Sequence, residues 1–261
     1  MEKAKRVVWR LLAASVCVMA VSQAVHADSL DEQRNRYAQI KQAWDNKQMD
    51  TVQALMPTLK DYPLYPYLEY RQITDDLMNQ PTVTVNNFIQ ANPTLPPARS
   101  LKSRFVNELA RREDWRGLLA FSPDKPGATE AQCNYYYAKW ATGQQEEAWT
   151  GAKELWLTGK SQPNACDPLF SAWRASGKQD PLSYLERIRL AMKAGNTRLV
   201  TVLAGQMPAD YQTIASAVIS LANDPNTVLT FARTTGATDC TRQMAAVVRA
   251  NVSTVLGSFA R

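Results

Sequence analysis

A short helical hairpin between two cysteines is the feature that most constrains how this 261-residue chain can fold. Between Cys133 and Cys166, apolar residues recur every three or four positions on both sides of Gly143, which is the spacing of two amphipathic helices. Glycine readily takes up the left-handed conformation that ends a helix. Two helices joined by so short a turn lie antiparallel. The sequence therefore predicts that the chain turns back towards Cys133 as it approaches Cys166.

Cys133 and Cys166 are predicted to form a disulfide. An oxidising compartment favours the bond, and closing a loop of this size contributes about 3–4 kcal/mol in the chain-entropy model. The alternative is a pair of buried free thiols. Cys240 has no partner in this scheme and no histidine to activate it, so we expect it to have no catalytic role.

A helix followed by a polar turn and a shorter helix recurs along the rest of the chain. The first instance opens with Ser29 and Glu32, the spacing of a capping box. Later polar turns lie at 113–114, 195–196 and 223–226, and each introduces a short apolar helix pattern that ends at Pro or Gly. Their spacing is too irregular for a strict repeat array. The pattern predicts an all-α fold, an α-superhelix or solenoid of stacked helical hairpins.

The amino terminus has the pattern of a secretory signal peptide. Four basic residues precede the apolar run Leu11–Val21, and Val25–Ala27 fits a small-x-small cleavage site. We expect residues 1–27 to be removed, so that the mature chain is exported, starts at Asp28 and has no membrane association. A retained anchor would need a longer apolar run. Cleavage lowers the formal charge of +6 to about +3, which is too small to indicate nucleic acid.

The only histidine, His26, lies in this leader. A mature chain without histidine excludes Ser-His-Asp and Cys-His nucleophilic sites as well as histidine metal sites. No glycine-rich phosphate loop occurs in the sequence. We therefore predict no catalytic residue, no metal ligand and no cofactor in this chain, and no cofactor-binding residues.

Paired acidic residues could in principle support glycosidic cleavage, which depends on two carboxylates. Adjacent acids occur at 75–76, 113–114 and 146–147. Neighbours on a helix point in different directions, and acids at helix starts and turns commonly cap the helix. The structural interpretation is therefore favoured for all three pairs.

Aromatic and basic residues are also interpreted as structural and not as parts of a binding site. Aromatic side chains can stack on sugar rings, but at helical spacing they are expected to form the core. The candidates are Trp140, Trp149, Trp156, Trp173 and Tyr135–Tyr137. The pairs Arg111-Arg112 and Arg187-Arg189 are predicted to lie on solvated faces.

Three phrases carry a family resemblance. They are YPLYPYLEYR at Tyr62–Arg71, FVNELARREDWRGLLAF at Phe105–Phe121 and CNYYYAKW at Cys133–Trp140. Together they resemble the amino-terminal domain of the soluble lytic murein transglycosylases of Gram-negative bacteria. The resemblance implies a periplasmic enzyme that cleaves the MurNAc–GlcNAc bond of peptidoglycan without water and leaves a 1,6-anhydro-muramyl end. It also implies a ring-like α-superhelix followed by a separate lysozyme-like catalytic domain.

The chain also departs from that family. The catalytic domain is marked by a Glu-Ser pair and by Gly-Leu-Met-Gln and Ala-Tyr-Asn-Ala-Gly phrases, none of which occurs in the sequence. We therefore assign residues 28–246 to the amino-terminal part of the superhelical domain. Residues 247–261 read as an atypical tail, as expected of a truncated product.

The sequence allows two functions from different classes, and the resemblance at Tyr62–Arg71 favours the first. In the first, the chain is the scaffold part of a peptidoglycan lyase, inactive alone, whose partners are peptidoglycan and the missing catalytic domain. In the second, it is a freestanding periplasmic solenoid adaptor that binds peptides or partner proteins.

Overall fold

The computed structural model describes residues 29–235, 238, 240–242 and 244–245. These residues are mainly helical and include no β-strand, so the predicted all-α class is confirmed. The chain divides into two compact units, residues 1–72 and 73–261. The predicted signal peptide and the tail at 247–261 lie outside the described residues.

The first unit is built from the helices α1 (Leu30–Asp45), α2 (Met49–Leu55) and α3 (Tyr65–Asp75), the last of which runs past the boundary at residue 72. The predicted capping box is confirmed, because the Glu32 amide donates to Ser29 Oγ at 3.2 Å and the Ser29 amide donates to Glu32 Oε2 at 2.9 Å. The buried side chains are apolar, and the largest of them are Ile40, Trp44, Val52, Met56, Leu59, Tyr62 and Leu68.

The second unit contains the remaining helices. They are α4 (Thr82–Ala91), α5 (Pro96–Arg111), α6 (Trp115–Phe121), α7 (Thr129–Ala141), α8 (Gln145–Trp156), α9 (Asp167–Ala175), α10 (Leu182–Lys193), α11 (Thr197–Gly205), α12 (Gln212–Asn223) and α13 (Val228–Thr235). Successive helices pack chiefly on one another, with α7 against α8 and α10, α11, α12 and α13 following in series. This is the predicted solenoid of stacked helical hairpins.

The polar turns fall where the sequence places them. Gly143 and Gly195 adopt left-handed conformations, with φ of 90° and 70°. Asp114 caps α6 by accepting from the Gly117 amide at 2.9 Å, and Asn196 caps α11 by accepting from the Leu199 amide at 3.2 Å. Each cap satisfies an amide that would otherwise lack a partner at the start of a helix.

Within the described residues, no helix is both long enough and apolar enough to cross a membrane.

Candidate functional site

The hairpin α7–α8 brings the two predicted cysteines together. Cys133 lies in α7, and Cys166 ends the 3₁₀ turn Asn164–Cys166 that leads into α9. The structure places them as a disulfide with Sγ atoms 1.94 Å apart and Cα atoms 4.8 Å apart, and both residues are fully buried. The bond therefore links the start of α9 to the hairpin.

Within the hairpin, α8 lies close against Tyr136 of α7 at Gly151. A Cβ atom added there would lie 2.3 Å from ring atoms of Tyr136, well inside van der Waals contact. Glycine inside a helix normally costs about 1 kcal/mol relative to alanine. The close approach therefore explains why glycine occupies a helix interior at this position.

We expect Gly151→Ala to lower the free energy of unfolding by about 1–2 kcal/mol, because overpacking costs about 1–3 kcal/mol and the gain in helix propensity offsets only part of it. Gly205→Ala is the matched control, since nothing lies within 4 Å of a Cβ atom at that helical glycine. The control should be neutral or slightly stabilising in urea denaturation. Equal effects of the two substitutions on the free energy of unfolding would contradict the close packing of Gly151 against the Tyr136 ring.

Beyond the hairpin, the aromatic side chains form a core cluster around Trp156. This indole is only 2% exposed, and its centroid lies 5.0 Å from the ring of Phe170, 5.1 Å from that of Tyr184 and 6.3 Å from that of Trp173. Its Nε1 donates to the Ser183 carbonyl at 3.1 Å. The cluster is thus packed and hydrogen-bonded, as predicted for core residues.

The remaining aromatic candidates also belong to the core. Trp149 and Tyr135 are buried, as predicted for core residues. Tyr136, Tyr137 and Trp140 are half-buried and pack against the same core.

The prediction that Arg187 lies on a solvated face is wrong. Arg187 is 4% exposed, and its guanidinium carbon lies 4.2 Å from the centroid of the Trp156 ring and 5.7 Å from that of Phe170. Burial lowers the pKa of Arg187 to about 10, so the side chain stays charged at neutral pH. It is three residues after Tyr184 and four before Ala191, both buried. That spacing places Arg187 on the buried stripe of α10, and it is the sequence signal that could have identified the residue.

The other three arginines of these pairs differ in exposure, so the charge of a side chain does not by itself predict that it is solvated. Arg189 forms an ion pair with Glu186 and is only half-buried. Arg111 is exposed, as predicted, whereas Arg112 is half-buried and donates to the Leu77 carbonyl at 2.7 Å. The solvated-face prediction therefore fails for Arg112 as well, because its guanidinium satisfies a backbone carbonyl.

A cavity of about 360 Å³ opens beside the aromatic cluster. Trp156 and Phe170 contribute apolar walls, and Arg174, Arg187 and Arg198 line it with positive charge. No motif in the sequence signals this cavity, because its residues come from four helices and the segments that connect them.

A second cavity, of about 510 Å³, lies between α5 and α7 and is lined by both charge signs, including Arg104, Glu108, Arg111 and Glu130. Glu108 is the least exposed carboxylate there, with 13% of its side chain exposed. Hydrogen bonds from Arg111 and then from Arg112 hold the pKa of Glu108 below its ordinary value. A general acid needs the opposite shift, so Glu108 is not suited to protonate a leaving group.

The lowered pKa of Glu108 gives a pH-dependent prediction. Because the folded-state pKa is below the unfolded one, the stabilisation is present above about pH 4.3, the ordinary glutamate value, and is lost as pH falls through the folded pKa. We expect Glu108→Gln to lower the free energy of unfolding by about 0.5–1 kcal/mol at pH 7, after allowance for solvent screening. The difference from the parent should disappear at acid pH.

Urea denaturation at pH 7 and at acid pH measures the change in the free energy of unfolding caused by Glu108→Gln. Glu154→Gln serves as the control, because Glu154 pairs with Lys125 at 2.8 Å on an exposed surface and should contribute less. A Glu108→Gln effect that is the same at pH 7 and at acid pH would contradict the assigned ion pairs.

The predicted acidic pairs are separate structural features. Asp75 ends α3 and Asp76 precedes the 3₁₀ turn Leu77–Asn79, while Asp114 caps α6. Glu147 lies in the first turn of α8 and pairs with Lys139 of α7 at 2.9 Å. None of these contacts joins two carboxylates into one site.

Cys240 is half-buried, and burial raises the pKa of its thiol to about 11. The thiol is therefore protonated at neutral pH, which makes it a poor nucleophile. Among the residues that the structure describes, no group of three or more His, Cys, Asp or Glu side chains is placed to hold a metal ion.

Comparison with known proteins gives close relatives of this chain. The soluble lytic murein transglycosylase of Escherichia coli (strain K12) is 85% identical over 253 residues, which cover 97% of this chain and 39% of the relative. The enzyme of the same name from Salmonella typhimurium (strain LT2) is 79% identical over the same coverage. The chain thus spans 39% of the length of the curated relatives it matches. No protein-family model matches the chain.

Two solved structures resemble the fold. The 70-kDa soluble lytic transglycosylase of Escherichia coli matches with a TM-score of 0.82 and 88% identity, over 86% of this chain and 36% of that one. The lytic transglycosylase Slt of Pseudomonas aeruginosa, solved as an inactive mutant, matches with a TM-score of 0.72 and 30% identity, over 82% of this chain and 34% of that one.

Proposed function

The chain belongs to the soluble lytic murein transglycosylase family, and we propose that it forms the amino-terminal, superhelical scaffold of such an enzyme. In this proposal residues 28–246 are the scaffold, and a separate catalytic domain of the full-length enzyme cleaves the MurNAc–GlcNAc bond. The partners are then peptidoglycan and that catalytic domain. The observation that carries the proposal is the 85% identity over 97% of the chain, matched to 39% of the relative.

The carboxylates in the described part of the chain support a scaffold over a catalyst. Cleavage of a glycosidic bond uses a carboxylic acid kept neutral by an apolar wall. Glu108 is held ionised by two arginines, and Glu154 is exposed and paired. Burial raises the pKa of Glu69, but the positive charge of Lys60 opposes that shift and favours the ionised carboxylate.

A chimera tests the scaffold role. The segment of the Escherichia coli relative that aligns with this chain is replaced by the chain, and the chimera is compared with a version that lacks the segment. We expect the chimera to release anhydro-muropeptides from murein sacculi at the rate of the relative, and the deletion to be impaired. If deleting the segment left the rate unchanged, the scaffold proposal would be wrong and a freestanding adaptor would be the better assignment.

The location follows from the same proposal. We infer that the chain is exported to the periplasm and loses residues 1–27, because its relatives are named for murein and its leader has the pattern of a signal peptide. The intact mass of the protein recovered from a periplasmic extract should correspond to a chain that starts at Asp28. Recovery of only the uncleaved chain, from the cytoplasm, would contradict this inference.

A further inference from the structure

Arg187 is a buried cation that forms no ion pair with the residues that the structure describes. Its Nε atom is buried and has no hydrogen-bond acceptor, and its Nη2 reaches only the Lys160 carbonyl, at 3.5 Å. Asp167 favours the charged form of Arg187 electrostatically but lies beyond ion-pair distance, as do the other carboxylates of the described residues. Stacking on Trp156 compensates part of the lost hydration. A buried charge normally finds a partner with opposite charge, so the guanidinium retains unused capacity to bind an anion.

Arg187 lines the cavity of about 360 Å³ described above. Arg174 of α9 and Arg198 of α11 line the same cavity, so three consecutive helices each supply one guanidinium. Arg174 is held in place by its hydrogen bond from Nε to the Tyr184 hydroxyl at 2.8 Å. Arg198 is exposed and forms no hydrogen bond or ion pair with described residues, so it is available to a ligand. Asp167 is the one carboxylate in the lining.

The lining also indicates what kind of anion fits. A guanidinium presents a planar fork of donors that matches a carboxylate or phosphate. Trp156, Phe170 and Leu203 add apolar wall, and the cavity has room for more than a bare ion. We propose that this cavity binds a small organic oxyanion, whose carboxylate or phosphate group pairs with Arg187 and Arg198 while its apolar body lies against the aromatic wall. The proposal stands on the cavity alone and does not depend on the reaction of the family.

Two matched probes and one bare ion test the site. N-acetyl-L-leucine carries a carboxylate on an apolar body, its amide has the same body without charge, and inorganic phosphate is the alternative oxyanion. Titration of each into the purified protein is followed in the proton–nitrogen NMR signals of the arginine Nε groups. We expect saturable shifts of the Arg187 signal with N-acetyl-L-leucine, and none with the amide. Saturable binding of inorganic phosphate but not of N-acetyl-L-leucine would contradict the proposed role of the apolar wall.

Substitutions of Arg198 and Arg187 test whether these two residues bind the anion. Arg198→Gln removes the exposed cation, which has no structural contacts, and should weaken binding by about three- to tenfold. Arg187→Lys keeps the charge but loses the planar fork and should weaken binding by about tenfold or more. Arg233→Gln is the control, because Arg233 is an exposed helical arginine that does not line the cavity. Absence of saturable binding by either anion, or binding that Arg198→Gln leaves unchanged, would overturn the proposal and leave Arg187 as a structural cap on Trp156.

Discussion

Trp156→Ala is expected to lower the free energy of unfolding of the second unit by about 3–5 kcal/mol. The indole is almost fully buried and contacts the rings of Phe170, Trp173 and Tyr184. Its removal leaves a cavity among rigid neighbours and also takes away the surface on which the buried Arg187 guanidinium stacks. Urea denaturation followed by circular dichroism measures the effect.

Trp140→Ala is the matched control for this prediction, because the truncation is the same but the indole is half-exposed. It should cost less than half as much. If both variants lost the same stability, the cluster around Trp156 would not be the main packing centre of the second unit.

Loss of the Cys133–Cys166 bond is the other large expected effect. Replacing both residues by alanine should lower the free energy of unfolding by about 3–4 kcal/mol, because the bond closes a loop with a sequence separation of 33 residues. The same bond also joins the start of α9 to the α7–α8 hairpin. Cys240→Ala is the control and should change stability much less, since Cys240 is an unpaired, half-buried thiol.

Thiol titration checks the pairing itself. The denatured, unreduced protein without its leader should show about one free thiol, that of Cys240, because a bond between Cys133 and Cys166 leaves no other. Three free thiols in protein recovered from the periplasm would contradict the disulfide.

Most of the fold could be predicted from local patterns. Helical spacing, the capping box at Ser29 and the left-handed Gly143 each report a local backbone preference, and local preferences are visible in the sequence. The hairpin turn also predicted that Cys133 and Cys166 would come close, since two short antiparallel helices allow few other arrangements.

The cavity could not be predicted in this way. It depends on how α8, α9, α10 and α11 pack, and no single stretch of sequence encodes that packing. Because arginine is rarely buried, residue type alone predicts a solvated face for Arg187, although its spacing from Tyr184 places it on the apolar stripe. The aromatic rings around Trp156 and Phe170 make the burial possible, since they stack on the guanidinium.

The most direct test of the scaffold assignment is whether the purified chain cleaves murein by itself. The chain and the full-length Escherichia coli relative are incubated with murein sacculi for a long period, and the soluble products are analysed by mass spectrometry. We predict anhydro-muropeptides from the relative and none above the buffer blank from this chain. Anhydro-muropeptides that accumulate above the blank would contradict the assignment and would direct the search for a catalytic carboxylate to Glu69, Glu108, Glu113 and Glu154.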